Sequence, residues 1–144
     1  MMADFLDAHQ RHWDDAELLF NATCWANADH LYGLSAECGL KRLMERFGMV
    51  VDMSTGTPKN HADRVHIMEH RRQENAWDRY ESYRHGKNAV AYALPAQNPF
   101  QDWDISQRYA HRTNFTQEIA EAHRDGAKSV HHLITIAVLE GILS

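Results

Sequence analysis

Phe115, Ile119, Ala122, Gly126, Val130, Leu133 and Ala137 follow one another at steps of three and four residues through the last third of a 144-residue chain. Six consecutive steps of that size place all seven on one helical stripe, whereas a strand would need alternation with period two. Asn114 with Gln117 supplies a capping box. A helix from Asn114 to Glu140 would be roughly 40 Å long at a rise of about 1.5 Å per residue. A helix of that length with one apolar side has to find other helices to cover it. Gly126 on the buried stripe points to a close helix–helix approach.

The rest of the chain supplies the partners. Proline breaks helix interiors, and Pro58, Pro95 and Pro99 fall between stretches of helical periodicity. Trp13, Ala16, Phe20 and Thr23 mark a first helix, with Asp14, Asp15 and Glu17 in its first turn, where the helix dipole favours acids. A second helix, capped by Asn27 or Asp29, carries one stripe of Leu31, Leu34 and Cys38 and another of Ala36, Leu40, Leu43 and Phe47. So wide an apolar face suits a central helix, and Gly48 offers the left-handed residue that ends it. Residues 49–58 read as a loop with a short extended piece. Ala62, Val65 and Met68, continued by Trp77, Tyr80 and Tyr83, predict a third helix opened by Thr57 or Asn60 and reaching toward Gly86. A short helix is expected from about Asn88 to Leu94, and 95–113 reads as an ordered loop. These elements predict a single all-α domain over residues 1–144, a four- to five-helix up-and-down bundle with a long C-terminal helix.

Composition removes several function classes. No apolar run approaches the roughly 18 residues that span a bilayer, and the first residues lack the pattern of a secretory signal. Cys24 and Cys38 make no disulfide framework. The expected setting is the cytoplasm, with no membrane partner. The net charge of −5 argues against a protein whose main work is gripping nucleic acid through phosphates. The charge is uneven, however: residues 1–58 carry −5, 59–99 carry +2 and the remainder −2. The basic middle segment also holds His61, His66, His70 and His85, so any anion-binding face is expected to include it.

Eleven histidines raise the question of a metal. His66, Glu69 and His70 spell H-x-x-E-H, which on a helix sets two imidazoles one turn apart as in some zinc sites. No third ligand closes the set, and the neighbouring Arg71, Arg72 and Gln73 mark a solvated face. A di-iron bundle would need E-x-x-H pairs, and no Glu has a His three residues later. No metal and no cofactor are expected. Cys38, on an apolar stripe, reads as a small buried hydrophobe.

Glu37 and Lys41 are spaced i,i+4 in the favourable orientation, which an ordinary solvated pair would explain. Their setting says more. The run from Ala28 to Leu43, with Ser35-Ala36-Glu37-Cys38-Gly39-Leu40-Lys41 at its centre, resembles the second helix of HEPN domains, nucleotide-binding domains shared by higher eukaryotes and prokaryotes. The family pattern A-x-E-x-x-L-K is matched with the alanine shifted by one place. Asp15-Ala16-Glu17-Leu18-Leu19 is similar to the family's first helix. His61 stands where many members carry a histidine, and Arg108-Tyr109 precedes a long final helix as it does in the family. The resemblance covers residues 13–140.

The resemblance implies a helical bundle, usually a homodimer, that binds a nucleotide, RNA or a protein partner. Many members are metal-independent ribonucleases carrying R-x(4–6)-H, some of them toxins or defence components with a nucleotidyltransferase as cognate partner. In such a site histidine moves protons at a ribose hydroxyl or leaving oxygen, and arginine stabilises phosphate charge. Arg124 and His131 fit the spacing and are the first candidates; Arg79 and His85 are the second. In ribonuclease members the motif usually sits near the start of the last helix. Here that place holds Arg108-Tyr109-Ala110-His111-Arg112, whose Arg-to-His gap is too short. The binding-module reading is therefore preferred to the ribonuclease, and a structural bundle unrelated to the family is the third alternative.

Overall fold

The computed structural model describes residues 1–85 and 90–144. Among these residues four α-helices and no named strands occur: α1 Phe5–Asn21, α2 Trp25–Arg46, α3 Ala76–Arg84 and α4 Gln117–Leu139. None is long and apolar enough to cross a membrane. The all-α bundle with a long C-terminal helix is what the apolar periodicity predicts.

The reversal between α1 and α2 is tight because Thr23 takes a left-handed conformation, φ 61°. Its neighbour Cys24 returns its N–H to the Leu19 carbonyl. α2 then begins at Trp25 with no side-chain cap, so neither Asn27 nor Asp29 starts it; Asp29 is buried inside the helix on other duties. Of the two stripes on α2, Ala36, Leu40, Leu43 and Phe47 form the core, whereas Leu31, Leu34 and Cys38 are only half-buried. Gly48 ends the helix with φ 120°, as expected for the residue after a C-cap. Val51 and Pro58 then pair as an isolated antiparallel bridge, the short extended piece of that loop.

The predicted third helix is much shorter than its periodicity implied. His61–Asp63 form only a 3-10 turn, and the α-helix begins at Ala76. Tertiary bonds outcompete helix formation over 64–75. The Glu69 carboxylate accepts from the His66 backbone N–H, Asn98 donates to the Ile67 carbonyl, and Arg72 donates to the carbonyls of His61 and Arg64. Val65 and Ile67 still enter the core, but from non-helical backbone. The start of α3 is fixed by a capping box between Asn75 and Asp78. Of the short helix expected at 88–94, residues 88–89 lie outside the described residues, and 90–92 form a turn. That turn is held where Tyr80 donates to the Tyr92 carbonyl and Tyr92 donates to Glu140.

α4 starts at Gln117 behind a Thr116 cap, two residues later than a cap at Asn114 would have set it. Asn114 is instead spent in a 3-10 turn, bonding the His111 carbonyl. The buried stripe is also displaced at this end of the helix, where Ala120, His123 and Ala127 are buried and Ala122 is exposed. Gly126 does mark a close approach, but the neighbour is not a helix. A Cβ there would lie 2.6 Å from Pro99 and 3.0 Å from Phe100. Both belong to an irregular strap, residues 95–115, that lies across α2 and α4. Its Trp103 packs against Gly33 of α2, where a Cβ would come within 2.2 Å of the indole. The true helix–helix contact at a glycine is Gly39 of α2 against Val130 of α4 and His9 of α1.

Candidate functional site

The i,i+4 pair on α2 is no solvated pair. Glu37 and Lys41 are 8% and 6% exposed, with Nζ 3.1 Å from Oε2. The other carboxylate oxygen, Oε1, lies 2.9 Å from Nδ1 of His66. Burial alone would raise the Glu37 carboxyl; Lys41 and His66 outweigh it and hold the group below the ordinary range. His66, bonded to Glu37, is correspondingly raised despite burial. A buried charge needs partners, and here three groups from two segments satisfy one another.

Around this pair stand side chains that are not satisfied. His12 on α1 and His30 on α2 are half-buried, and the Nδ1 of each is enclosed without a hydrogen-bond partner. Both are close enough to Glu37 and to one another for their charges to interact. Burial pushes each imidazole down, with Arg11 adding to the effect on His12 and Arg108 on His30. His30 stacks on the buried Trp103 ring with centroids 5.7 Å apart. His70 lies at the strap, its Nε2 3.0 Å from the Trp103 carbonyl and 3.8 Å from Asp104. The result is a polar cluster: the paired Glu37, Lys41 and His66, two imidazoles held below their ordinary range, the His30–Trp103 stack, and Arg108 close enough to act on His30. Such a set can exchange hydrogen bonds through its open imidazole nitrogens and meet an anion beside Arg108.

A second polar cluster lies under the strap. His123 of α4 is 1% exposed, flanked by two carboxylates: Asp29 of α2 on Nδ1 and Asp102 of the strap 2.6 Å from Nε2. Gln107 donates to the remaining oxygen of Asp29, and the Phe100 ring stacks on the imidazole at 5.2 Å. Burial alone would lower His123, but the two carboxylates outweigh it and raise it.

The residues first predicted for catalysis are placed elsewhere, in the seam between α1 and α4. Arg124 forms a two-pronged pair with Glu17, 2.7 and 2.9 Å, and lies over the Phe20 ring. His131 stacks on Trp13 at 4.7 Å, with Nδ1 3.0 Å from Nε2 of His9. Burial holds His131 below its ordinary range against the nearby acids Asp14 and Glu17, and those acids make a poor setting for a phosphate. Arg79 is likewise engaged, with Asp63 and Glu74, while His85 caps α3 as an exposed residue. The structure brings neither Arg nor His of either pair into the Glu37–Lys41 cluster. His66 and His70 sit on non-helical backbone with separate partners, and no cluster that could hold a metal occurs among the described residues. Cys24 and Cys38 are free, and burial pushes the Cys38 thiol up to about 12.

His9, fully buried between the Ser35 carbonyl and His131, carries a pH dependence. Burial, the largest cause, pushes it down to about 4. The folded protein therefore keeps it neutral while the unfolded chain titrates near 6.5. Its contribution is intact above that value and lost as pH falls from there toward 4, by up to about 3 kcal/mol. The urea midpoint should fall over this window, and less steeply in His9→Gln; equal slopes would discount His9.

No protein-family model, curated protein or solved structure matches the chain.

Proposed function

We propose that this chain is a HEPN-like helical module that binds a nucleotide or RNA in a cleft over the polar cluster of Glu37, Lys41 and His66. The observation that carries the reading is the conjunction at the Glu37–Lys41 pair. The segment that resembles the family's second helix holds a buried ion pair beside two enclosed imidazole nitrogens lacking partners. Buried polar atoms without partners are uncommon, and each calls for an explanation. Here a bound base edge or phosphate oxygen supplies one. Arg108, exposed on the strap and close enough to act on His30, provides the positive charge that a phosphate needs, and the overall acidity keeps nonspecific binding of long nucleic acid low.

The test is calorimetric titration with mononucleotides and a short single-stranded RNA, comparing the wild type with the double variant Glu37→Leu/Lys41→Met. Wild-type binding that is lost in the variant supports the reading. No binding up to about 1 mM, the weak end of specific recognition, would overturn it, and binding that survives would move the ligand elsewhere. The same assay, read for cleaved RNA, tests the ribonuclease reading. His12 and His30, near one another and with an open ring nitrogen each, are better placed to exchange protons with RNA than His131, whose Nδ1 is bonded to His9. Cleavage abolished by His131→Ala but not by His12→Ala would return the chemistry to Arg124 and His131.

A homodimer belongs to this proposal. Of the strap's aromatic side chains, Phe100 and Trp103 are fully buried and Tyr109 is exposed. A different surface supports association: Met2, Phe5, Leu6, Ile134, Val138 and Leu139 line one groove, with Leu139 81% exposed. An apolar groove of this kind commonly marks an interface. Light scattering at micromolar protein should give twice 16.7 kDa, and a monomer mass would refute it.

A further inference from the structure

We propose that Asp29, His123 and Asp102 form a proton-operated fastening that holds the strap over the cleft and releases it when His123 becomes neutral. The argument is one of donor count. Only the doubly protonated imidazolium has two N–H groups, and His123 faces an aspartate at each nitrogen. A neutral ring keeps one donor and turns a lone pair toward the other carboxylate. Which bond is lost follows from burial. Asp29 is fully buried and also held by Gln107, whereas the Asp102 side chain is 68% exposed and can turn into water. The strap end is thus the one that lets go.

The segment released carries the cleft's wall. Asp102 precedes Trp103, which His30 stacks upon, and the same strap brings Arg108 and the carbonyl that His70 meets. Asp29 and Asp102 are the charged groups bonded to His123 and the largest charged influences on it, and Phe100 beside it is neutral. The two carboxylates raise His123. The fastening is therefore complete below the ordinary histidine range and undone as pH rises through the raised value. As regulation of the cleft this rests on the nucleotide reading; the fastening itself does not, and its test uses ligand-free protein.

Histidine ring nitrogens and strap amide exchange would be followed together by NMR from about pH 5 to 9, a span bracketing the ordinary value of 6.5. We expect both His123 N–H signals to persist above that value. Protection factors at the Phe100 and Trp103 amides should then fall about tenfold with the same midpoint, the loss of one hydrogen bond to a charged group. Asp102→Asn, a change at an exposed position, should lower the midpoint and carry the strap transition down with it. His66→Gln, which removes the cleft's own raised histidine, should move neither. A His123 already neutral at about pH 6, or strap protection that ignores its midpoint, would overturn the fastening. If the strap loosens as expected while nucleotide affinity stays flat, the regulatory claim fails alone. If no nucleotide binds, the functional reading fails and the fastening stands.

Discussion

Glu37→Leu should lower folding stability by about 3–5 kcal/mol, the usual cost of leaving one member of a buried ion pair without its partner. Lys41 is 6% exposed, and among the described residues its ammonium bonds Glu37 alone. With Glu37 gone it must deprotonate or drag water into the bundle. His66 loses its acceptor in the same step. The double variant Glu37→Leu/Lys41→Met should recover most of the loss, since two apolar side chains of similar volume can replace a buried pair at little cost. Urea denaturation of the two variants decides the point. A single variant within about 1 kcal/mol of wild type would show that water already reaches the pair. This contrast separates fold from function: a stable double variant that no longer binds nucleotide has lost the site and kept the scaffold.

The helices that periodicity revealed are those whose main partners are other helices. α1, α2 and α4 pack against one another, so the apolar stripe and the packing surface coincide. Residues 64–75 have the same periodicity but face the strap and α2, and side chains bonding backbone carbonyls there displaced the helix. The site was legible to a different degree. The Glu37–Lys41 spacing is visible in sequence, but its burial depends on His66, 29 positions away, and on the strap, neither of which local pattern can place. His12 and His30 carry no local signal beyond the abundance of histidine. His123 was hidden because it stands beside Ala122, the residue that the apolar stripe selected; its burial comes from Asp29 and Asp102. Arg124 and His131 do share one side of α4, as their seven-residue spacing implies. Only the position of Glu17, Trp13 and His9 on α1 shows that their polar groups are engaged.

Gly33→Ala should cost about 3 kcal/mol, at the upper end of overpacking effects. The added methyl would sit 2.2 Å from both Nε1 and Cε2 of Trp103, and the indole is fully buried with no free side to retreat to. Moving it strips His30 of its stacking partner and pulls on Asp102, one residue away. Near-ultraviolet circular dichroism should report the displaced indole, and the urea midpoint should fall. An unchanged spectrum with full stability would mean that the strap packs elsewhere. Trp103→Leu in the Gly33→Ala background should restore part of the stability by making room for the methyl.

The strap's anchors have a kinetic consequence. α1 and α2 meet across a turn of three residues, so their pairing closes a very short loop. By contrast Gln107 reaches Asp29 across 78 positions, and His123 reaches it across 94. Long closures cost entropy before any contact repays them, which places the strap late in folding and early in unfolding. Substitutions such as Gly33→Ala should then steepen the loss through the unfolding rate and leave refolding nearly unchanged. The lifetime of the native state would be governed by an irregular segment rather than by any of the four helices.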